Sequence, residues 1–113
     1  ALDAGADAVN DVSGGQDDPG MLLLVAARGV GVILMHRLTA PALDRYSDRY
    51  TQPPAYRDVV TDVRGHLARL ADRALSAGVA REAVVLDPGL GFGKTVAQNL
   101  ELIRRGAELL TLG

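Results

Sequence analysis

A chain of 113 residues with 48% hydrophobic and 23% charged side chains has the balance of one globular unit, not of a disordered or membrane-embedded one. It contains no cysteine, which removes disulfide frameworks and thiol chemistry, and no apolar run approaches the roughly 20 residues of a bilayer span. The formal net charge of −2, spread over interspersed Arg, Asp and Glu, offers no basic stripe. Neither a nucleic-acid nor a membrane partner is expected, and the default location is the cytoplasm.

Ala1 to Gly5 reads as the tail of a helix stopped by glycine, and Leu109 to Gly113 closes the chain on apolar residues without a polar cap. Both ends lead to the expectation of an internal part of a longer protein. Ala8 to Val12 predicts a first strand, closed by Ser13-Gly14-Gly15. Asp18-Pro19 supplies an N-cap and a proline at the first helical position, and Met21, Leu22, Val25 and Ala26 follow at helical spacing up to Gly29.

Val30 to Met35 is nearly continuous in apolar residues, the pattern of a parallel strand buried on both faces, with His36 and Arg37 at its polar end. The stretch 38–55 holds Pro41, Pro53 and Pro54 among tyrosines and alternating charges and predicts a loop, long enough to be functional or mobile. From Tyr56 to about Ala77, Val59, Val60, Val63, Leu67, Leu70, Ala74 and Leu75 form one apolar stripe, ended by Gly78. Ala83 to Leu86 is a third buried strand. Asp87 to Lys94 is the loop after it, and Thr95 with Gln98 fits a capping box for a helix through Ile103, which Gly106 breaks.

Strand and helix alternate three times, so the expected fold class is α/β with a parallel sheet and right-handed crossovers. A (β/α)8 TIM barrel takes about 250 residues. Residues 1–113 therefore read as a partial domain, three consecutive βα units of an incomplete barrel.

Each predicted strand ends in polar residues: Asn10-Asp11, His36-Arg37 and Asp87. Parallel α/β folds gather functional groups at these C-terminal ends, so a shared pocket is expected, although any one of the three could serve only as a cap. Asp87 is followed by Pro88-Gly89 and further glycines, a backbone without side chains that lets a planar ligand approach the carboxylate. There an aspartate can accept two hydrogen bonds from a guanidine-like edge, and Asn10 can both donate and accept on the same heterocycle. The competing reading is that both residues only tie down loops. Gly89 to Thr95 falls one residue short of phosphate-loop spacing, and Lys94 stands where a dinucleotide fingerprint needs its third glycine, so neither motif applies.

Three segments resemble the dihydropteroate synthase family: Val9-Asn10-Asp11-Val12-Ser13-Gly14, Leu34-Met35-His36, and Leu86-Asp87-Pro88-Gly89-Leu90-Gly91-Phe92-Gly93-Lys94-Thr95. They stand in the family's order, and the last is the specific one. The resemblance implies a TIM barrel that condenses 6-hydroxymethyl-7,8-dihydropterin pyrophosphate with p-aminobenzoate, giving 7,8-dihydropteroate and pyrophosphate. It implies Mg²⁺ on the pyrophosphate, held by a residue upstream of this chain, and a homodimeric parent. Carried onto this sequence, it implies that Asn10 and Asp87 hydrogen-bond the pterin and that Met35 and Phe92 line its pocket. Asp87 would also stabilise positive charge developing as pyrophosphate leaves. Lys94 and His36 receive no catalytic role, ordinary core packing is the alternative for Met35 and Phe92, and the 38–55 loop receives no assignment.

The basic segments that serve p-aminobenzoate and pyrophosphate in this family do not occur, so the chain alone is expected to be inactive. Two other readings are the pterin-binding domain of a methyltetrahydrofolate-dependent methyltransferase, disfavoured by the glycine-rich loop after Asp87, and a noncatalytic pterin-binding paralogue.

Overall fold

The computed structural model describes residues 1–113. Strands β1 (Ala8–Asp11), β2 (Gly31–Met35) and β3 (Val84–Asp87) form one parallel sheet in the order β1-β2-β3. Helix α1 (Met21–Arg28) joins the first two strands, α2 (Val59–Ser76) joins the second and third, and α3 (Val96–Arg104) follows β3. No helix is long and apolar enough to cross a membrane.

Side chains alternate across a strand, so the register sorts the sheet into two faces. Val9, Val32 and Val84 share one face with Asp11, Leu34 and Leu86; Asn10, Ile33 and Val85 share the other, where Met35 and Asp87 form the next row. The first face packs on the helices, and Val32 and Leu34 are only 1% and 0% exposed. The second face is open, with Val85 55% exposed. The expectation that the second strand is buried on both faces holds only in part: its apolar run is fully covered by helices on one side, while on the other Ile33 is half-buried and only Met35 is covered.

Helix α2 is the central packing element, touching β2, β3 and α3. Its Val59, Val60, Val63, Leu67, Leu70 and Ala74 are buried at the spacing that turns one helical stripe inward, where each fully buried Val or Leu contributes about 1.5–3 kcal/mol. Asp58 starts it three residues later than the sequence predicts, accepting hydrogen bonds from the Val60 and Thr61 amides. Its carboxylate also pairs with Arg105, so the start of α2 is tied to the end of α3.

The predicted start of α1 shifts as well. Asp18 caps no helix directly: it accepts from the Gly20 amide, Pro19 lies in the turn, and α1 begins at Met21 with Gly20 as its N-cap. The α3 helix ends at Arg104, one residue beyond the expected Ile103, and a separate 3-10 turn over Gly106–Leu112 packs Leu109 and Leu112 against the core. The capping box forms as expected, with Thr95 and Gln98 each bonding the other's backbone amide.

Candidate functional site

The open face of the sheet carries three of the four residues singled out from sequence. Met35 and Asp87 are direct register partners at the ends of β2 and β3, and Asn10 lies on the same face near the end of β1. Asn10 is exposed and its amide makes no hydrogen bond within the chain. Met35 is 3% exposed, covered where the turns after the strands close over it. Its neighbour along the strand pair is thus a carboxylate at the rim of an apolar floor.

Asp87 accepts one hydrogen bond, from the Gly89 amide to Oδ1 at 2.7 Å, and Oδ2 has no partner in the chain. Asp11 behaves differently. Both of its oxygens are taken by backbone, Ser13 on Oδ1 and Gly15 on Oδ2, each at 2.8 Å. Of the two strand-end aspartates, Asp11 is the loop tie and Asp87 is the one with accepting capacity left.

Residue 89 must be glycine. Its φ is +70°, and a Cβ there would stand 2.0 Å from the His36 carbonyl oxygen. Gly91 and Gly93 also take positive φ, so the turn after Asp87 folds tightly beside the end of β2.

Phe92 is not brought to the other three. It lines a cavity of about 500 Å³ with Pro41, Asp44, Arg45, Tyr46 and Gly91, between the turn after β3 and the 38–55 segment. That segment, left unassigned from sequence, is bonded to the turn at several points. Asp44 accepts from the Gly93 amide at 2.8 Å, and Tyr56 donates its hydroxyl to the Gly93 carbonyl at 2.8 Å. Asn99 accepts from the Gly91 amide and donates to Ser47, each at 2.9 Å, and Gln98 donates to the Pro54 carbonyl at 3.2 Å. Burial pushes the Tyr56 phenol well above its usual value, which keeps it a donor. Asp44, which also accepts from Tyr50, is held below the usual carboxylate range despite some burial, chiefly by that phenol and by backbone amides.

Sequence reasoning missed Lys94 and His36. Lys94 is 0% exposed, and its Nζ reaches His36 Nδ1 at 3.0 Å, the Gly89 carbonyl at 2.9 Å and the Phe92 carbonyl at 2.8 Å. Burial lowers its pKa to about 8, opposed by the nearby carboxylates of Asp44 and Asp87. His36, 4% exposed and packed edge-on against His66 at 4.8 Å, is pulled down to about 3 by burial and then by the charge of Lys94. The signal that could have found Lys94 is the turn itself. Glycines at positive φ leave carbonyls without ladder or helix partners, and Lys94 is the first long donor after them.

Comparisons with known proteins identify the family. A family model described as pterin binding enzyme matches residues 1–112. A dihydropteroate synthase of Mycobacterium leprae is 46% identical over the whole of this chain and 38% of its own length. A structure of the Xanthomonas albilineans dihydropteroate synthase in complex with 7,8-dihydropteroate superposes with a TM-score of 0.82 at 37% identity, covering 99% of this chain and 37% of that one. The Thermus thermophilus enzyme in complex with 4-aminobenzoate gives 0.82 at 44% identity, covering 99% and 42%. The chain thus spans about two-fifths of the proteins it matches, and across that span it belongs to the pterin binding enzyme family.

Proposed function

We infer that the protein carrying this chain is a dihydropteroate synthase. In this reading it joins 6-hydroxymethyl-7,8-dihydropterin pyrophosphate to p-aminobenzoate, yielding 7,8-dihydropteroate and pyrophosphate in folate biosynthesis, and residues 1–113 supply the pterin side of the pocket. The observation that carries the reading is the shared row of Met35 and Asp87 on the open sheet face, with Asn10 beside it, in a chain whose relatives are named as this enzyme. The surrounding architecture is proposed to be a TIM barrel, of which the three strands here form a consecutive part, with the open face turned toward its interior.

The division of labour follows from the chemistry of each group. The pterin ring lies against the row that ends in Met35, which offers only the small part of its thioether side chain that the turns leave uncovered. Its 2-amino-pyrimidinone edge presents two N–H donors, and the Asp87 carboxylate can accept both because only one of its lone pairs is spent on Gly89. Asn10 supplies the donor and acceptor that the remaining mixed edge requires. As the C–O bond to pyrophosphate breaks, positive charge spreads into the dihydropterin, and the fixed carboxylate of Asp87 lowers the energy of that state without moving a proton. Phe92 lines the cavity beside the 38–55 segment and reaches the pterin in this reading only when the turn after β3 moves.

Mg²⁺ on the pyrophosphate is implied by the family, but no three His, Asp or Glu side chains of this chain are arranged to hold a metal ion. A cytoplasmic location and a homodimeric parent belong to the same proposal.

The test is dihydropteroate formation by the complete gene product carrying this chain, compared with Asp87→Ala. Product that vanishes with Asp87 supports both the reaction and the site. A folded protein that binds pterin yet makes no product would move the assignment to a noncatalytic paralogue or a methyltransferase.

A further inference from the structure

The carboxylate of Asp87 is aimed by the Gly89 amide, and residue 89 is a glycine at positive φ, the conformation least able to hold its own orientation. A side chain at the far end of the turn holds it. The Gly89 carbonyl is held by Lys94 Nζ, and the Phe92 carbonyl, three residues further along, is held by the same nitrogen. The third contact of Nζ is His36 Nδ1, at the end of the strand that carries Met35. His36 also donates its backbone amide to the Asp87 carbonyl at 3.0 Å. One nitrogen therefore joins the end of β2 to both halves of the turn after β3.

The count of protons makes the arrangement depend on charge. An ammonium has three N–H donors and here meets three acceptors; a neutral amine has two donors and a lone pair, so it keeps all three contacts only if His36 moves its proton from Nε2 to Nδ1, and both carbonyls then lose a charged donor. We propose that Lys94 is a positioning residue for the pterin site: its protonated side chain locks the turn that aims Asp87, and its deprotonation loosens that turn and weakens pterin binding. The inference rests on the pterin-binding reading of Asp87.

The groups facing Lys94 set how it titrates. His36 from β2 stays neutral and accepts through Nδ1, which places its proton on Nε2. His66 from α2 is also held toward the neutral form by burial, with Arg69 and Arg73 adding to the effect. Asp44 of the 38–55 segment and Asp87 favour the charged ammonium, whereas burial opposes it. Tyr50 and Tyr56 are both held protonated above their usual range. Among these groups only Lys94 changes charge near pH 8.

The experiment uses the complete gene product and titrates 6-hydroxymethyl-7,8-dihydropterin pyrophosphate calorimetrically between about pH 6.5 and pH 9.5. Expected for the wild-type protein is an affinity that falls by about tenfold over the two pH units centred on 8. Lys94→Met is expected to bind at least about tenfold more weakly at neutral pH and to lose the inflection. Side-chain nitrogen NMR of His36, recorded without ligand, is expected to show Nδ1 moving with the same midpoint in the wild type. A flat wild-type profile, or a Lys94→Met protein with the wild-type profile, overturns the proposal. If the wild-type protein binds no pterin at all, the functional reading fails separately. The lock then stands on the His36 signal, and a His36 Nδ1 that ignores the titration overturns it.

Discussion

Gly89 and His36 approach so closely that a single added carbon on residue 89 would stand 2.0 Å from the His36 carbonyl oxygen. Gly89→Ala combines that clash with a left-handed backbone at φ +70°. The two costs together are expected to exceed about 3 kcal/mol, and the turn must move to relieve them, taking the Asp87 contact with it. Urea unfolding of the complete protein checks the first effect and pterin titration the second; a variant with unchanged stability contradicts the geometry.

Asp87→Asn keeps an oxygen for the Gly89 amide but removes the charge. It is expected to preserve the fold while lowering kcat/KM by about 10²-fold or more, since an electrostatic partner of developing charge is lost. Asn10→Ala, on the same face but exposed, should weaken pterin binding by about tenfold without altering the unfolding midpoint. Steady-state kinetics of both variants beside their denaturation curves separate the two effects.

His36 makes the fold sensitive to acid. Its folded-state pKa is about 3 and its ordinary value 6.5, so the unfolded chain takes up the proton first as pH falls. The stability tied to neutral His36 is whole above pH 6.5 and drains between 6.5 and about 3, at up to about 1.4 kcal/mol per pH unit. His66, shifted in the same direction, steepens the loss. Unfolding midpoints at pH 7.5 and 4.5 should therefore differ markedly. His36→Asn, which keeps an acceptor for Lys94, should flatten the dependence.

Thr95→Ala removes one half of the capping box that opens α3. A loss of about 1 kcal/mol is expected, with little change in pterin affinity, because the cap lies beyond Lys94 and touches no ligand-facing group. Thermal unfolding measures the first and calorimetry the second.

Residues 1–113 by themselves leave Val85 55% exposed on the open sheet face and Ile103 62% exposed on α3. The isolated chain is expected to form no dihydropteroate and to associate through these surfaces. Product from rigorously purified 113-residue protein would overturn this.

Much of this was legible in the sequence. The stripe from Val59 to Ala74, the alternation of strands with helices and the capping box at Thr95 depend on spacing along the chain, and spacing is what a sequence records. The strand ends singled out Asn10 and Asp87 for the same reason: the end of a run of apolar residues is a local property. Met35 could be named only through the family resemblance, and its place beside Asp87 required the register of β2 on β3.

What tertiary structure alone decided was partnership over long separations. Lys94 looked like an ordinary residue before a helix, because its acceptors on His36 lie 58 residues away. The 38–55 stretch looked unassignable because its bonds run to Gly93, Gln98 and Asn99. Asp11 and Asp87 looked alike until the backbone showed which carboxylate was already spent. Periodicity reports which side of an element faces inward. Which polar atom meets which other depends on how separate elements come together, and no local pattern carries that.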